Sequence, residues 1–339
     1  MYFFLNDYND ICVPEILDAL RDAIDEKNPG YSFDKHTENA IELIKNAIQY
    51  KNVEIHFVPG GTGANILGAT AGLRPEESIL SAVTGHIEGH EAGSIEATGV
   101  KIETIPTMDG KLTVELLEKK LSDFGPEFMT VPRTVYISNT TELGTLYTKD
   151  EIESIYNFCK LNGLYLFIDG ARMAAALVSE KANLKLEDLP RICDSFTLGG
   201  TKNGLLLGEA IVIVNDDLKR GFINLKKQKG AMLAKGFVTG IMFETVFETE
   251  DGYLKGARHA HNMAEELAKG LEEKGIKLYQ EFQSNQIFIE RTKDQVEELR
   301  KIAVFEVTGK TENGNDVVRF VTTYRTTKEE VEGLIRDIK

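Results

Sequence analysis

The chain has 339 residues, of which 42% are hydrophobic and 27% are charged, a composition typical of folded globular proteins. Its formal net charge of −15 argues against non-specific binding to nucleic acid or to anionic membranes. No apolar stretch approaches the ~20 residues of a membrane-spanning helix, and the start of the chain lacks the basic and apolar regions of a signal peptide. The three cysteines do not have the spacing of a metal site; they are Cys12, Cys159 and Cys193. With no signal peptide or membrane span predicted, a reducing cytoplasm is the expected location.

Helical and strand patterns alternate from the start of the chain. Pro14 begins one predicted helix, and a second is predicted over residues 37–50. VEIHFV then predicts a strand, and GGTGAN a turn that opens the next helix. Because backbone N–H groups at a glycine-rich helix N-terminus attract phosphate, Gly61 and Thr62 are candidate phosphate ligands. The run is neither a Walker loop nor a complete dinucleotide fingerprint, and a plain strand–helix turn explains it equally well.

Two histidines follow the next predicted strand, SILSAV. His86 and His90 are four residues apart with Glu88 and Glu91 nearby, and two imidazoles at that spacing on a helix can bind zinc. The zinc motif is incomplete, because no third ligand stands out and the glutamate lies one place too late for His-Glu-x-x-His. His86 could instead stack on an aromatic cofactor, or could be an ordinary polar loop residue.

An acid and a lysine each follow a predicted buried strand in the middle of the chain. LYLFI ends at Asp169, and SFTLGG ends at Thr201 and Lys202. The strand–helix–strand spacing predicts a mostly parallel sheet, so both residues should lie at its C-terminal edge, where ligands bind. Pyridoxal phosphate (PLP) needs a lysine amine and an acid beside its pyridine nitrogen. Taken singly, Asp169 as a helix cap and Lys202 as a solvated lysine are the simpler interpretations.

The last third of the chain has a different pattern. The basic stretch 219–237 is either a solvated helix face or a patch that faces phosphate or another subunit. From about Tyr253 a long helix and shorter strands predict a small α+β domain, which gives a large domain over residues 1–250 and a small one over 251–339. Arg319, within the strand pattern VVRFVTT, is either solvent-facing or turned into the cleft, where it would bind a carboxylate.

Four runs of sequence occur in one order and spacing, namely GGTGAN, GHIEGHEAGSIEATG, FIDGAR and LGGTKNG. Together they resemble the threonine aldolase/aromatic amino acid β-eliminating lyase family of fold-type-I PLP enzymes, and the match covers residues 6–323. The resemblance implies an α/β fold in which the large domain binds PLP on a mostly parallel sheet. It also implies a homodimer or homotetramer with shared active sites, acting on a small-molecule amino acid.

The resemblance implies roles for particular residues. Lys202 matches the lysine that binds PLP covalently, Asp169 the acid that pairs with the pyridine nitrogen, and His86 the imidazole stacked on the ring; these three are the expected catalytic residues. Arg172 matches an arginine near the cofactor's phenolic oxygen and the substrate carboxylate. The residues expected to bind the cofactor are Lys202, Asp169, Arg172, His86, Gly61, Thr62 and Thr201.

The substrate-binding residues implied in the same way are Asn6, Tyr31, Arg172 and Arg319. Arg319 matches a carboxylate-binding arginine of the small domain. Tyr31 falls where the family has a tyrosine that reaches a neighbouring subunit's site, and Asn6 where a serine is usual.

Two departures from the family's pattern concern the substrate and the phosphate. Thr141 stands where many members have a second active-site histidine, which could contact the substrate β-hydroxyl, and His90 is a possible substitute. The basic stretch near Lys235 replaces a glycine-rich, arginine-bearing segment.

The expected function is a low-specificity threonine aldolase that cleaves the Cα–Cβ bond of L-threonine or related β-hydroxy amino acids to glycine and an aldehyde. His86, or a water that it holds, is the candidate base for the β-hydroxyl proton, and Lys202 is a second candidate for proton transfer. A β-eliminating lyase with the same cofactor is the alternative. A non-catalytic nucleotide- or phosphate-binding protein that uses the Gly-Thr loop, and a zinc hydrolase built on His86 and His90, are alternatives of other classes.

Overall fold

A computed structural model describes residues 1–249 and 251–339. The strands are β1 Tyr2–Phe3, β2 Glu54–Val58, β3 Glu77–Ala82, β4 Lys101–Ile105, β5 Val131–Ser138, β6 Tyr165–Asp169, β7 Ser195–Gly199, β8 Glu209–Ile213, β9 Gln286–Arg291, β10 Ala303–Val304, β11 Glu306–Lys310 and β12 Asp316–Val321. The helices are α1 Pro14–Asp22, α2 Lys35–Ala47, α3 Gly61–Ala69, α4 His86–Gly89, α5 Val114–Leu121, α6 Lys149–Leu161, α7 Met173–Val178, α8 Asp216–Lys219, α9 Phe222–Gln228, α10 Phe237–Phe247, α11 Gly252–Glu273, α12 Lys293–Leu299 and α13 Lys328–Asp337.

The central sheet has seven strands within the described residues, in the order β2-β8-β7-β6-β5-β3-β4. The strands from β7 to β4 are all parallel, and β8 is antiparallel to both of its neighbours, β7 and β2. The interior strand β7 is fully buried, as expected where helices cover both faces of a sheet. The predicted α/β fold with a mostly parallel sheet is confirmed.

The strand directions bring several loops to one edge of this sheet. The parallel strands β3, β5, β6 and β7 all end there, and the register sets Ser138, the last residue of β5, beside Asp169, the last residue of β6. Because β8 runs the other way, it begins at the same edge, where Glu209 pairs with Val58 of β2 and Gly199 of β7.

Helix α3 covers one face of the sheet and carries the predicted phosphate loop at its N-terminus. Its buried Ala64 and Leu67 pack with Ile211 and Phe222. Gly68 allows a close approach to the sheet, because a Cβ at that position would lie 2.3 Å from Cε2 of Phe167. This packing fixes the start of α3 relative to β6.

The C-terminal part is built on a three-stranded antiparallel sheet, in the order β11-β12-β9. Leu267 of α11, Leu334 of α13 and Phe320 of β12 belong to its apolar cluster. The N-terminal strand β1 pairs with β10 and brings Phe4 into the same cluster. The division into domains over 1–250 and 251–339 stays a prediction, and Glu250 itself lies outside the described residues. In the part of the chain that is described, no helix has the length and apolar character that crossing a bilayer requires.

Candidate active site

A cavity of about 310 Å³ opens at the C-terminal edge of the central sheet. Its walls come from the loops after β2, β3, β5, β6 and β7 and from the start of β8. Seven of the ten predicted site residues line it, namely Gly61, Thr62, His86, Asp169, Arg172, Thr201 and Lys202. Residues separated by 141 positions in the chain therefore meet at one sheet edge, as the strand pattern predicts.

The carboxylate of Asp169 is held firmly at the floor of the cavity. Its Oδ1 accepts a hydrogen bond from the backbone N–H of Ala171 at 2.9 Å. Its Oδ2 accepts from Asn65 Nδ2 at 2.9 Å and from the Tyr136 hydroxyl at 2.6 Å. Asp169 is 6% exposed, so these donors replace the water that an ionised carboxylate would otherwise bind.

Lys202 lies in the short 3-10 helix Thr201–Asn203 that follows β7. The chain reverses at Gly204, which has a φ of +91°. Burial and the charge of Arg172 lower the pKa of Lys202, and the nearby carboxylates of Asp7 and Asp169 only partly oppose this. A lowered pKa enlarges the fraction of uncharged amine at neutral pH, which is the form that attacks a carbonyl carbon.

His86, the first residue of α4, belongs to a hydrogen-bonded chain of side chains. Its Nδ1 donates to Glu91 Oε1 at 2.8 Å, and Asn65 Nδ2 donates to the same oxygen at 2.8 Å. The other oxygen of Glu91 accepts from the hydroxyl of Ser94 at 2.9 Å. Because Asn65 also donates to Asp169, the buried Glu91–Asn65 pair connects the imidazole to the carboxylate on the cavity floor. With Nδ1 protonated, Nε2 is the basic nitrogen of His86.

The Gly-Thr loop forms the first turn of α3. A Cβ at Gly60, Gly61 or Gly63 would meet nothing within 4 Å, so open space adjoins the backbone along this turn. The unpaired N–H groups and the helix dipole make the start of α3 a place where an anion is stabilised.

Arg172 makes a buried ion pair with Asp7. Its Nε donates to Asp7 Oδ2 at 2.7 Å and its Nη2 to Oδ1 at 3.0 Å. Asp7 also accepts from Asn285 Nδ2 at 3.1 Å. Burial acts to raise the pKa of Asp7, but the charges of Arg172 and Lys202 outweigh it and hold that pKa below its usual value. Two of the three guanidinium nitrogens are thus already used, which leaves Nη1 for a ligand.

Asn6 and Tyr31 do not line the cavity. Asn6 is buried, and its side-chain oxygen accepts from the backbone N–H of Tyr8 at 3.0 Å. Tyr31 is 42% exposed, and Lys227 Nζ lies 4.4 Å from its ring centroid. Their substrate roles stay predictions.

Arg319 is not among the residues that line the cavity, although it lies close enough to Arg172 and Asp7 for their charges to act on its pKa. It projects from β12, where Nη1 donates to Gln286 Oε1 at 3.0 Å and Nη2 pairs with Glu306. Both partners are side chains of the protein itself. The predicted contact between Arg319 and a substrate carboxylate stays a prediction.

The basic stretch 219–237 runs from the last residue of α8 through α9 to the first residue of α10. Lys226 is 3% exposed, and burial lowers its pKa to about 8. Lys235 is exposed between α9 and α10. The predicted phosphate- or subunit-facing role of this stretch stays a prediction.

Several residues of the site were missed by sequence reasoning. Glu91 was considered only as part of a zinc motif, and the side chain of Asn65 was not singled out within GGTGAN. Glu142 and Glu209 line the cavity as well, and burial raises the pKa of Glu209 to about 7. In a sequence, an acidic residue at the end of a strand or in the next loop is normally interpreted as solvated. Only the placement of Glu142 and Glu209 at the sheet edge identifies them as cavity residues.

Comparison with known proteins places this geometry in a family. The family model for β-eliminating lyases matches residues 13–294. The chain belongs to the β-eliminating lyase family. Among its curated relatives is a low-specificity L-threonine aldolase of Pseudomonas aeruginosa, 30% identical over 99% of this chain and 96% of the relative. An Escherichia coli low-specificity L-threonine aldolase is 24% identical over 88% of this chain and 87% of the relative.

Solved structures agree with this β-eliminating lyase assignment. A threonine aldolase of Leishmania major superposes with a TM-score of 0.96 at 39% identity, covering 99% of this chain and 98% of that one. A serine palmitoyltransferase of Sphingomonas wittichii, 16% identical, has a TM-score of 0.74 over 99% of this chain and 86% of that one, and shows the shared fold. The family resemblance and the fold-type-I architecture predicted from the sequence are both confirmed.

Proposed function

We propose that this protein is a PLP-dependent lyase that cleaves the Cα–Cβ bond of L-threonine or related β-hydroxy amino acids, giving glycine and an aldehyde. The observation that carries the proposal is the convergence of Lys202, Asp169, His86 and Arg172 on one cavity. Full-length similarity to low-specificity threonine aldolases supports the choice of reaction.

The residues present fit PLP. The open space along the first turn of α3 would accept a phosphate, with Gly61 and Thr62 as ligands. Asp169 is a fixed carboxylate suited to a protonated pyridine nitrogen, and Lys202 has the lowered pKa of a reactive amine. The buried Oδ1 of Asn65 has no hydrogen-bond partner among the described residues, which leaves an acceptor free beside the same carboxylate.

When bound, PLP supplies the electron sink that accepts the pair released from Cα of the substrate. Lys202 would hold the cofactor covalently, and Asp169 would keep its pyridine nitrogen protonated. Glu91 orients His86 so that the imidazole can stack on the ring. Arg172 would bind the substrate carboxylate through Nη1 while Asp7 holds the other two nitrogens in place. Nε2 of His86 is one lining atom able to accept the β-hydroxyl proton.

We also propose that the protein is a homodimer or homotetramer with shared sites. Several large apolar side chains of the N-terminal segment are exposed, among them Ile11, Ile24 and Phe33, and burial of such side chains against a second subunit would remove them from water. Asn6, Tyr31 and Arg319 would complete the substrate site in this assembly. Free, buried thiols at all three cysteines fit a cytoplasmic location.

The test is an absorbance spectrum of the purified protein before and after addition of L-threonine, with released aldehyde measured through a coupled dehydrogenase. We expect a yellow protein whose spectrum shifts and which releases acetaldehyde. Lys202→Ala should abolish the visible absorbance and turnover, whereas Lys185→Ala, at an exposed lysine outside the site, should change neither. Full activity in Lys202→Ala would refute the assignment. Production of a 2-oxo acid and ammonia without aldehyde would identify a β-eliminating lyase instead.

A further inference from the structure

Glu142 is a carboxylic acid in the cavity wall that has no role in the site as described so far. It follows β5 and lines the cavity together with His86, Asp169 and Lys202. The hydroxyl of Ser138 donates to its Oε1 at 3.0 Å. Among the described residues this is the one side chain that hydrogen-bonds the Glu142 carboxylate, whereas Asp169 accepts hydrogen bonds from three donors.

The two residues that the sequence offered in place of a second histidine are not at the cavity. Thr141 is 1% exposed, and its hydroxyl is hydrogen-bonded to that of Thr145 at 2.6 Å. His90 is exposed and is not among the lining residues, and its ring centroid lies 5.5 Å from that of His86. Glu142, the immediate neighbour of Thr141, is therefore the titratable side chain that this loop presents to the cavity.

The loop that carries Glu142 is a hydrogen-bonded turn packed against Phe288. The backbone N–H of Thr141 donates to the carbonyl of Thr145 at 2.8 Å, and that of Gly144 donates back to the carbonyl of Thr141 at 3.0 Å. Gly144 has a φ of +78°, and a Cβ there would collide with the ring of Phe288. The carboxyl group is thus presented from a fixed turn, as a group that transfers a proton must be.

The electrostatic surroundings make Glu142 a stronger base than an exposed glutamate. Burial raises the pKa of Glu142, the negative charge of Asp169 raises it further, and His86 opposes them in part. The other ionisable groups on which its charge acts are Arg172 and the hydroxyls of Tyr136 and Tyr147. A carboxylate with a raised pKa is a stronger base than an ordinary glutamate, and so better matched to a hydroxyl proton.

We propose that the carboxylate of Glu142 accepts the β-hydroxyl proton of the substrate during Cα–Cβ cleavage, in the place of a second histidine. The O–H bond breaks, its electron pair forms the aldehyde C=O bond, and the pair of the Cα–Cβ bond passes to the cofactor. One proton leaves the hydroxyl and one is added at Cα of the glycine product, so no other reactant is consumed. His86 then orients and covers the cofactor. The inference rests on the proposed lyase function.

The test is Glu142→Gln in the PLP-loaded enzyme, which keeps the shape of the side chain and removes its basicity. The kcat for threonine cleavage should fall by ~10²–10⁴-fold, the range typical of a lost general base. KM for threonine and the visible spectrum should stay within a few-fold of wild type. Exchange of the glycine α-proton with deuterated solvent, followed by NMR, involves no β-hydroxyl and should continue at the wild-type rate. Glu88→Gln, at an exposed glutamate, is the control for loss of one charge.

Ser138→Ala provides a second test that keeps the carboxylate. A hydrogen bond to the charged form lowers a pKa, so its removal should shift the acid limb of the kcat/KM profile for threonine to higher pH. The inference would be overturned if Glu142→Gln cleaved threonine at the wild-type rate, or if it lost glycine exchange to the same extent as cleavage. It would also be overturned if Ser138→Ala left the acid limb of the profile unmoved. If the wild-type enzyme itself releases no aldehyde, the proposed function has failed rather than the role of Glu142.

Discussion

Replacing Asp7 with asparagine tests whether the N-terminal segment is anchored by charge. Asp7 and Arg172 form a pair whose side chains are 2% and 11% exposed. Asparagine keeps the shape of aspartate and can still accept one hydrogen bond from Arg172. It removes the charge, so the buried guanidinium of Arg172 is left without a neutralising partner.

The expected loss of stability follows from this burial. Breaking a buried ion pair by removing one partner costs ~3–5 kcal/mol, whereas an exposed pair contributes ~0–1 kcal/mol. Because asparagine preserves one hydrogen bond, we expect about 3 kcal/mol, close to a hundredfold change in the unfolding equilibrium. Asp10→Asn is the matched control, since Asp10 is 30% exposed and Arg325 Nε lies 4.0 Å from its Oδ1; its cost should be about 1 kcal/mol or less.

Urea unfolding of both variants and wild type at pH 7 and pH 5 measures the effect. The pKa of Asp7 is held below its usual value, so its contribution is complete above the ordinary aspartate pKa of ~3.9 and is lost only as pH falls through the lower folded pKa. The deficit of Asp7→Asn should therefore be the same at pH 7 and pH 5. A deficit below ~1 kcal/mol, or one that shrinks between these pH values, would refute the reasoning.

Two further predictions concern pH and packing. Both ring nitrogens of His36 contact carboxylates, which raise the pKa of His36 against the opposing effect of burial. The stability that protonated His36 contributes is therefore complete below the ordinary histidine pKa of ~6.5 and is lost as pH rises through the folded pKa. His36→Gln should flatten the fall of Tm between about pH 6 and pH 9, and a profile parallel to wild type would contradict this. Gly68→Ala places a Cβ 2.3 Å from the ring of Phe167 and should lower the free energy of unfolding in urea by ~1–3 kcal/mol. At the control position Gly63, a Cβ would meet no described atom within 4 Å, so Gly63→Ala should cost little. Equal losses of stability in the two variants would count against the packing argument.

The sequence predicted the framework of the site because that framework depends on local patterns. The apolar runs predicted as buried strands before Asp169 and Lys202 form β6 and β7 in the structure. The glycines after β2 lie in the first turn of α3, as predicted. The antiparallel direction of β8 was not predicted, because a run such as EAIVI shows burial but not direction. That direction is what brings Glu209 to the cavity.

Contacts between distant segments were beyond sequence reasoning for a different reason. Asp7 and Arg172 are 165 residues apart, and their pairing depends on how the N-terminal segment returns to the sheet. Glu91 was seen as a possible metal ligand because spacing alone does not tell whether a carboxylate meets a metal or an imidazole N–H. The structure answers this with a 2.8 Å hydrogen bond to His86.

The same topology explains how a chain with a net charge of −15 can offer a site for two anionic groups, a phosphate and an amino acid carboxylate. The acids at the cavity are not equivalent. Asp7 is paired with the lining residue Arg172, whereas burial raises the pKa of Glu209 to about 7 and also raises that of Glu142. The phosphate and the carboxylate would face the N-terminus of α3 and the guanidinium of Arg172, and the burial of Glu142 strengthens the proposed base.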